Sequence, residues 1–394
     1  MNMIWISQEF QYNREMGTIG FTSRNEILHS LNNLGNFVLL ITGASLKNVL
    51  SRSKLLDYPR VVYLPMYLFP FLTTITFQFA LLISFPFLLL KNRARIIICD
   101  YFSVFTLAPF LLFKKIGLLK TSFILDIRTL PVDTKGLHGK ITNTRFKYSL
   151  LFAKVFFDGI TVITPAMKRY IVENLQFEEE NIGIWSSGVN YKKFSTANSR
   201  RDEFGWSDKF IVMYHGTFSP NRGLQEVIRA FCVLKNECPD TRLIMLGDGI
   251  GRREFNKLVS DCQLEDYVYI LGPISYEDIP DYVASVDIGI IPLPDIDWWN
   301  TSSPMKLFEY LAAGKPVILS PIEAHKNVIR DHPIAYYLAD VTEQEIVNEI
   351  KYLYDRRHNL ESTGKTGQDL VKDQYTWDAQ AERLSEFVNY ILNR

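Results

Sequence analysis

The chain has 394 residues, 47% of them hydrophobic, with 43 Lys or Arg against 43 Asp or Glu and a formal net charge of zero. That length exceeds what one hydrophobic core usually holds, so two domains are expected. The balanced charge supplies no overall field that would draw nucleic acid. Four cysteines without a C-x-x-C pair and six scattered histidines argue against a disulfide framework or a metal motif, and a reducing, cytoplasmic compartment fits.

In chain order, Met1-Asn2-Met3-Ile4 runs straight into an apolar strand over 3–7, with no basic stretch before it, so no signal peptide is expected. A loop with Gly17, Thr18, Ile19 and Gly20 follows, then a helix carrying Arg24. Further strands are expected over 36–42, 95–99, 122–127 and 159–164. No charged residue occurs between Arg60 and Lys91, and the core of that run, 68–90, is long enough to span a bilayer, which needs about 20 apolar residues. It lies between strands of one sheet, so a single crossing would put halves of one domain on opposite sides of the membrane. Pro65, Pro70 and Pro86 also interrupt it. A hairpin or helix lying in the membrane interface is preferred over a buried helical pair and over true insertion. The cations that follow, Lys91, Arg93, Arg95, Lys114, Lys115 and Lys120, suit an anionic leaflet.

A second series of strands is expected over 210–214, 242–246, 267–271, 287–291 and 316–319. Two alternating series make two Rossmann-like α/β domains with parallel sheets. The loop 215–223 carries Gly216 and Arg222, whose fork suits phosphate, and Gly247-Asp248-Gly249 closes another strand. In Ser302-Ser303-Pro304-Met305-Lys306-Leu307-Phe308-Glu309, Ser303 reads as an N-cap and Pro304 as the first helical residue, and Gly314 ends the helix. A helix N-terminus just past a strand's C-terminal end is where a phosphate-bearing ligand binds in an open α/β sheet. Lys306 and Glu309 share one face there. The same spacing also describes an ordinary amphipathic helix with a solvated Lys–Glu pair.

The segment 302–317 resembles the donor-binding signature of family 4 retaining glycosyltransferases, in the variant form P-x-K-L-F-E-Y-x-A-x-G-K-P-V, and the likeness extends more weakly over the rest of the chain. The resemblance implies the GT-B fold: two Rossmann-like domains facing across a cleft, with a C-terminal helix crossing back to the first. Residues 1–188 would bind acceptor, with a membrane-facing segment at about 65–90; 189–374 would bind the nucleotide-sugar; 375–394 would be the crossover helix. The implied donor-binding residues are Gly216, Thr217, Arg222, Gly247, Asp248, Gly249, Ser302, Ser303, Pro304, Lys306, Leu307 and Glu309. Arg222 and Lys306 would be catalytic by stabilising the departing diphosphate, and Glu309 would bond the ribose. Gly17, Gly20, Arg24, Asp126 and Arg128 are assigned to the acceptor side, although Asp126 and Arg128 could equally form a structural ion pair.

Two positions depart from the family. Thr217 stands where an arginine is common, and Thr301 stands where most members carry a second glutamate. No cofactor and no divalent metal are implied; Asp295-Ile296-Asp297 has the letters of a metal motif but reads as a solvated turn. The expected activity is a retaining, hexosyltransferase-type transfer from a nucleotide-sugar, UDP favoured, to a saccharide or lipid-linked acceptor in cell-surface polysaccharide or glycolipid synthesis. It would take place in the cytoplasm at the inner face of the cell membrane, without nucleic acid. The alternatives are a soluble acceptor, or a non-catalytic nucleotide-binding partner of an active transferase.

Overall fold

Runs such as Ile96-Ile97-Ile98-Cys99 are apolar without alternation, so both faces of their sheet need cover, and parallel strands with crossover helices provide it. The computed structural model describes residues 1–10, 19–50, 58–67, 69, 72–131 and 136–394. They divide into a first unit, Met1–Ser186 with Trp377–Arg394, and a second, Ser187–Thr376.

The first unit is built on β1 (Asn2–Phe10), β2 (Phe37–Ser45), β3 (Val61–Met66), β4 (Ile96–Cys99), β5 (Ser122–Ile127), β6 (Gly159–Val162) and β7 (Ile182–Ile184). They form one parallel sheet in the order β3-β2-β1-β4-β5-β6-β7. Its helices are α1 (Ile19–Asn33), α2 (Leu46–Leu50), α3 (Leu72–Asn92), α4 (Val104–Lys115), α5 (Gly136–Phe156) and α6 (Pro165–Leu175). Right-handed crossovers set their sides. The connections β3→β4, β4→β5 and β5→β6 all advance in one direction, so α3, α4 and α5 form one layer, with α3 touching α4 and α4 touching α5. α1 belongs to the other face, where it packs on the C-terminal helix Trp377–Leu392. That helix is fastened to its own unit: Gln380 Oε1 accepts the Ser186 N–H at 2.8 Å. Its Phe387 ring fills space that a Cβ on Gly183 would need, at 2.4 Å.

Of the forms expected for the apolar run, the described residues take the helix, not the hairpin or the buried helical pair: the strand β3 is followed by α3. Pro65 sits within β3 and Pro86 within α3, so neither ends its element; Leu68, Pro70 and Phe71 lie outside the described residues. Phe77, Leu81, Phe85 and Leu89 recur every fourth residue and are buried against the sheet, whereas Ile75, Phe79, Ile83, Phe87 and Leu90 are exposed.

The second unit has β8 (Phe210–His215), β9 (Thr241–Leu246), β10 (Val268–Leu271), β11 (Ile288–Ile291), β12 (Val317–Leu319) and β13 (Ala335–Tyr337), parallel in the order β10-β9-β8-β11-β12-β13. Its helices are α7 (Tyr191–Ser195), α8 (Leu224–Glu237), α9 (Arg252–Asp261), α10 (Ile279–Ala284), α11 (Asp297–Asn300), α12 (Met305–Ala312), α13 (Glu323–Ile329), α14 (Glu343–Asp355) and α15 (Leu360–Gln374). Alternate residues of β8 feed two cores. Ile211 and Met213 join Leu307, Phe308 and Leu311 of α12; Phe210, Val212 and Tyr214 join α8 and α14. Strands β3, β7 and β13 were not expected from sequence.

Candidate functional site

In the second unit the chain runs from β8 outward to β9 on one side, and β11 returns to pair with β8 on the other. The loops after β8 and β11 therefore diverge at a topological switch point, the crevice where open α/β sheets bind ligands. The β8 and β9 loops are laced by backbone: Gly216 N–H donates to Leu246 O at 2.8 Å and Phe218 N–H to Asp248 O at 2.9 Å. This close approach needs glycine. Gly216 and Gly247 have φ of 126° and 144°, and a Cβ on Gly247 would stand 1.9 Å from Gly216 O.

Onto this floor α12 projects Lys306 and Glu309, three residues apart and both buried. Lys306 Nζ lies against Gly216, at 3.3 Å from where a Cβ would be, and 4.8 Å from the centre of the Tyr214 ring. Arg222 reaches the same tyrosine's hydroxyl and stacks its guanidinium 4.6 Å above Trp299. Among the described residues neither cation has a carboxylate within ion-pair distance, and Arg222 Nε is buried without a hydrogen-bond partner. Glu309 instead faces His215, with Oε2 3.4 Å from Nε2.

Burial governs the protonation of this group. It pulls Lys306 down to about 7, helped by Arg222 and opposed by Glu309. Burial also pushes Glu309 up to about 7, against the Tyr276 hydroxyl and Lys306. His215 falls to about 3 through burial and then Lys306, so the imidazole is neutral and its contact with Glu309 is not an ion pair. His325, equally buried, drops to about 4, chiefly by desolvation, with Ser320 O opposing. An anion set between Lys306 and Arg222 would supply the countercharge both lack, and a carboxylate at Glu309 can accept from hydroxyls.

The other expected residues divide. Thr217 contributes its carbonyl, which accepts from Tyr214 Oη at 3.0 Å. Asp248 turns into its own loop, taking the Gly249 N–H at 2.8 Å and facing Arg252 at 3.7 Å, rather than joining the cations. The helix begins one residue later than expected: Pro304, extended at ψ 105°, is the N-cap, without a side-chain cap. Ser303 is not a cap; its Oγ accepts the Ser187 N–H at 3.3 Å. Ser302 Oγ donates to Trp299 O at 2.8 Å. The Leu307 side chain is a fully buried member of the core, and its N–H is taken by Pro304 O. Thr301 donates to Asp297 O at 3.2 Å.

In the first unit Gly17 lies outside the described residues and Gly20 falls in α1. Arg24 and Asp126 come together at 3.7 Å, both buried, and Asp126 also accepts from Thr161 and from Trp185 Nε1 at 2.8 and 3.0 Å. The ion pair considered between Asp126 and Arg128 does not form. Arg128 lies 3.5 Å above the Trp185 ring and donates to Trp185 O at 2.8 Å. Asp295 accepts from Asn300, and Asp297 opens α11; among the described residues no three His, Cys, Asp or Glu side chains gather as a metal site. Tyr214 and Tyr276 carry no signal in the sequence, and His215 is marked there only as the first residue of the loop 215–223, immediately before Gly216 at a strand end.

Residues 196–370 match the family model described as Glycosyl transferases group 1. An uncharacterized glycosyltransferase of Methanocaldococcus jannaschii is 22% identical over 62% of this chain and 61% of its own length. A lipopolysaccharide 1,2-N-acetylglucosaminetransferase of Salmonella typhimurium is 27% identical over 50% of this chain and 52% of its own length. These matches thus span between half and three fifths of the relatives. Among solved structures, Anabaena HepE in complex with UDP superposes with a TM-score of 0.73 at 14% identity, covering 99% of this chain and all of that one. Residues 196–370 thus resemble the group 1 glycosyl transferase domain, in a chain whose two parallel-sheet units have the GT-B fold.

Proposed function

We propose that the chain is a retaining glycosyltransferase that moves a sugar from a nucleotide-sugar to a saccharide or lipid-linked acceptor in polysaccharide or glycolipid synthesis. The observation that carries this reading is the pair Lys306 and Arg222, two cations without a carboxylate partner at the switch point, with Glu309 behind them. Transfer breaks the bond between the sugar and the diphosphate, and negative charge grows on the departing oxygens. Cations held in a desolvated site stabilise that charge where it forms, without a divalent metal. HepE, solved with UDP, supports a uridine donor. The Salmonella relative's lipopolysaccharide substrate supports a lipid-linked acceptor. We place the enzyme in the cytoplasm, peripheral at the inner face of the cell membrane, with exposed apolar side chains of α3 meeting lipid.

Thermal shift against UDP, GDP, ADP and their sugars tests the donor, since a ligand at 100 times its dissociation constant stabilises by about 2.7 kcal/mol. No shift with any of them, together with no hydrolysis of their sugars, would sink the proposal. Arg222→Ala should lower the turnover rate more than it raises the donor Michaelis constant, because its charge partner is fullest in the transition state. Loss of ground-state binding alone would make Arg222 an anchor. Glu309→Ala should weaken nucleotide affinity by about 1.5–3 kcal/mol, the worth of a charged hydrogen bond to ribose; unchanged affinity in a folded variant would remove that role.

A non-catalytic nucleotide-binding role has one observation in its favour. At the position of the family's other glutamate, eight residues before Glu309, stands Thr301, whose hydroxyl donates to Asp297 O. Turnover of any sugar nucleotide by the pure protein would eliminate it.

A further inference from the structure

We propose that the outer face of the α3–α4–α5 layer docks onto a lipid bilayer bearing anionic headgroups. This deepens the membrane reading above from one segment to a three-helix surface. A helix that is apolar all round is normally covered all round. α3 is apolar on both sides, yet the chain covers only the side carrying Phe77, Leu81, Phe85 and Leu89. The uncovered side does not stand alone. Phe79, Ile83 and Phe87 of α3 are 64%, 54% and 73% exposed, Phe113 of α4 is 49% exposed, and Val155 of α5 is 64% exposed. Leu118, just past α4, is 74% exposed. The shared layer puts these side chains on one surface, with Phe105 of α4 touching Phe152 of α5 at 5.8 Å between ring centres. So wide an apolar surface is uncommon on a soluble monomer.

Charge selects the occupant. The three helices together carry seven Lys or Arg and no Asp or Glu, in a chain whose overall charge is zero. Lys91, Lys115, Lys140, Lys147 and Lys154 are exposed among the apolar residues. Cations interspersed with Phe, Ile and Leu match the two layers of an anionic membrane surface, headgroup and acyl boundary. A second copy of the chain would bring the same cations against one another. Crossing the bilayer is opposed by the buried half of α3, which is committed to the core between β3 and β4 of one sheet.

The test floats the full chain with vesicles of phosphatidylcholine, and with vesicles of equal parts phosphatidylcholine and phosphatidylglycerol. Binding should be at least about tenfold tighter to the anionic vesicles and should weaken with salt. Replacing Lys91, Lys115 and Lys147 with Gln should cost about fivefold per cation. Replacing Phe79, Phe87 and Phe113 with Ser should release the protein at an unchanged melting temperature, whereas Phe85→Ser, on the buried side, should lower that temperature. If the phenylalanine variant fails to fold, the lysine variant decides. Equal binding to both vesicles overturns the proposal. So does a concentration-dependent dimer that the same substitutions dissociate, which would assign the face to a second copy. Donor hydrolysis without vesicles reads the enzymatic proposal separately; its failure leaves the vesicle result standing.

Discussion

Lys306→Met should lower donor turnover by about 10²–10³-fold while raising the melting temperature of the ligand-free protein. The loss of rate follows from removing one preorganised charge, typically worth about 10²–10³ in turnover. The gain in stability follows from the free site. Lys306 is buried beside a second cation, and among the described residues no carboxylate lies within ion-pair distance. Replacing buried charge by an apolar side chain of similar volume often stabilises by about 1–4 kcal/mol. At about 2–4 °C per kcal/mol for a unit of this size, that is a shift of several degrees. The sign of the pH dependence is fixed by burial. The folded pKa is pulled from 10.5 to about 7, so the unfolded chain holds the extra proton between those values. Wild-type stability rises with pH across that window, and the penalty on the charged amine is complete below its lower edge. The melting temperature gained by Lys306→Met should therefore be larger near pH 6 than near pH 9.5. A variant destabilised at the lower pH would mean that Lys306 is already paired in the free protein.

Much of this architecture is legible in the sequence because it depends on short-range pattern. Unbroken apolar runs such as 96–99 and 210–214 can only be strands covered on both faces, and their alternation with helices fixes a parallel sheet. The strands that escaped have reasons of their own. β7 and β13 are three residues each, and β3 opens the charge-free run, where its pattern merges with that of α3. Local rules also lose to tertiary contacts. Ser303 has the chemistry of an N-cap, yet its oxygen is engaged by the Ser187 N–H and Pro304 takes the capping position. Asp126 and Arg128 sit two apart, as a strand pair would, but the strand ends at Ile127 and the guanidinium is held over Trp185 while Arg24 meets the carboxylate. The candidate site follows the same division. Arg222, Lys306 and Glu309 stand out by residue type, whereas the burial that sets their protonation, and the approach of His215 to Glu309, exist only once β8 and α12 are packed together.

Gly247→Ala should damage the second unit more than any other single methyl added to its loops, and should take the site with it. The backbone at Gly247 has φ of 144°, which side-chain-bearing residues rarely adopt and which costs about 1–3 kcal/mol. The new methyl would also stand 1.9 Å from Gly216 O and 2.9 Å from Gly216 C. These are backbone atoms, so no rotamer change relieves the clash. Gly216 cannot retreat freely either. Its N–H is bonded to Leu246 O, its neighbour Phe218 is bonded to Asp248 O, and Lys306 Nζ closes its far side. Overpacking of this kind adds about 1–3 kcal/mol, for a combined loss of about 2–6 kcal/mol. Gly205 provides the control. It has φ of 69° with nothing within 4 Å of an added Cβ, so Gly205→Ala carries the backbone strain without the collision. Chemical denaturation of both variants should show the larger loss at Gly247. Nucleotide affinity should fall there alone, because the displaced Gly216 carbonyl moves the floor beneath Lys306. Equal losses in stability would mean that the two loops can part without effort, and the glycine contact would then be incidental to the site.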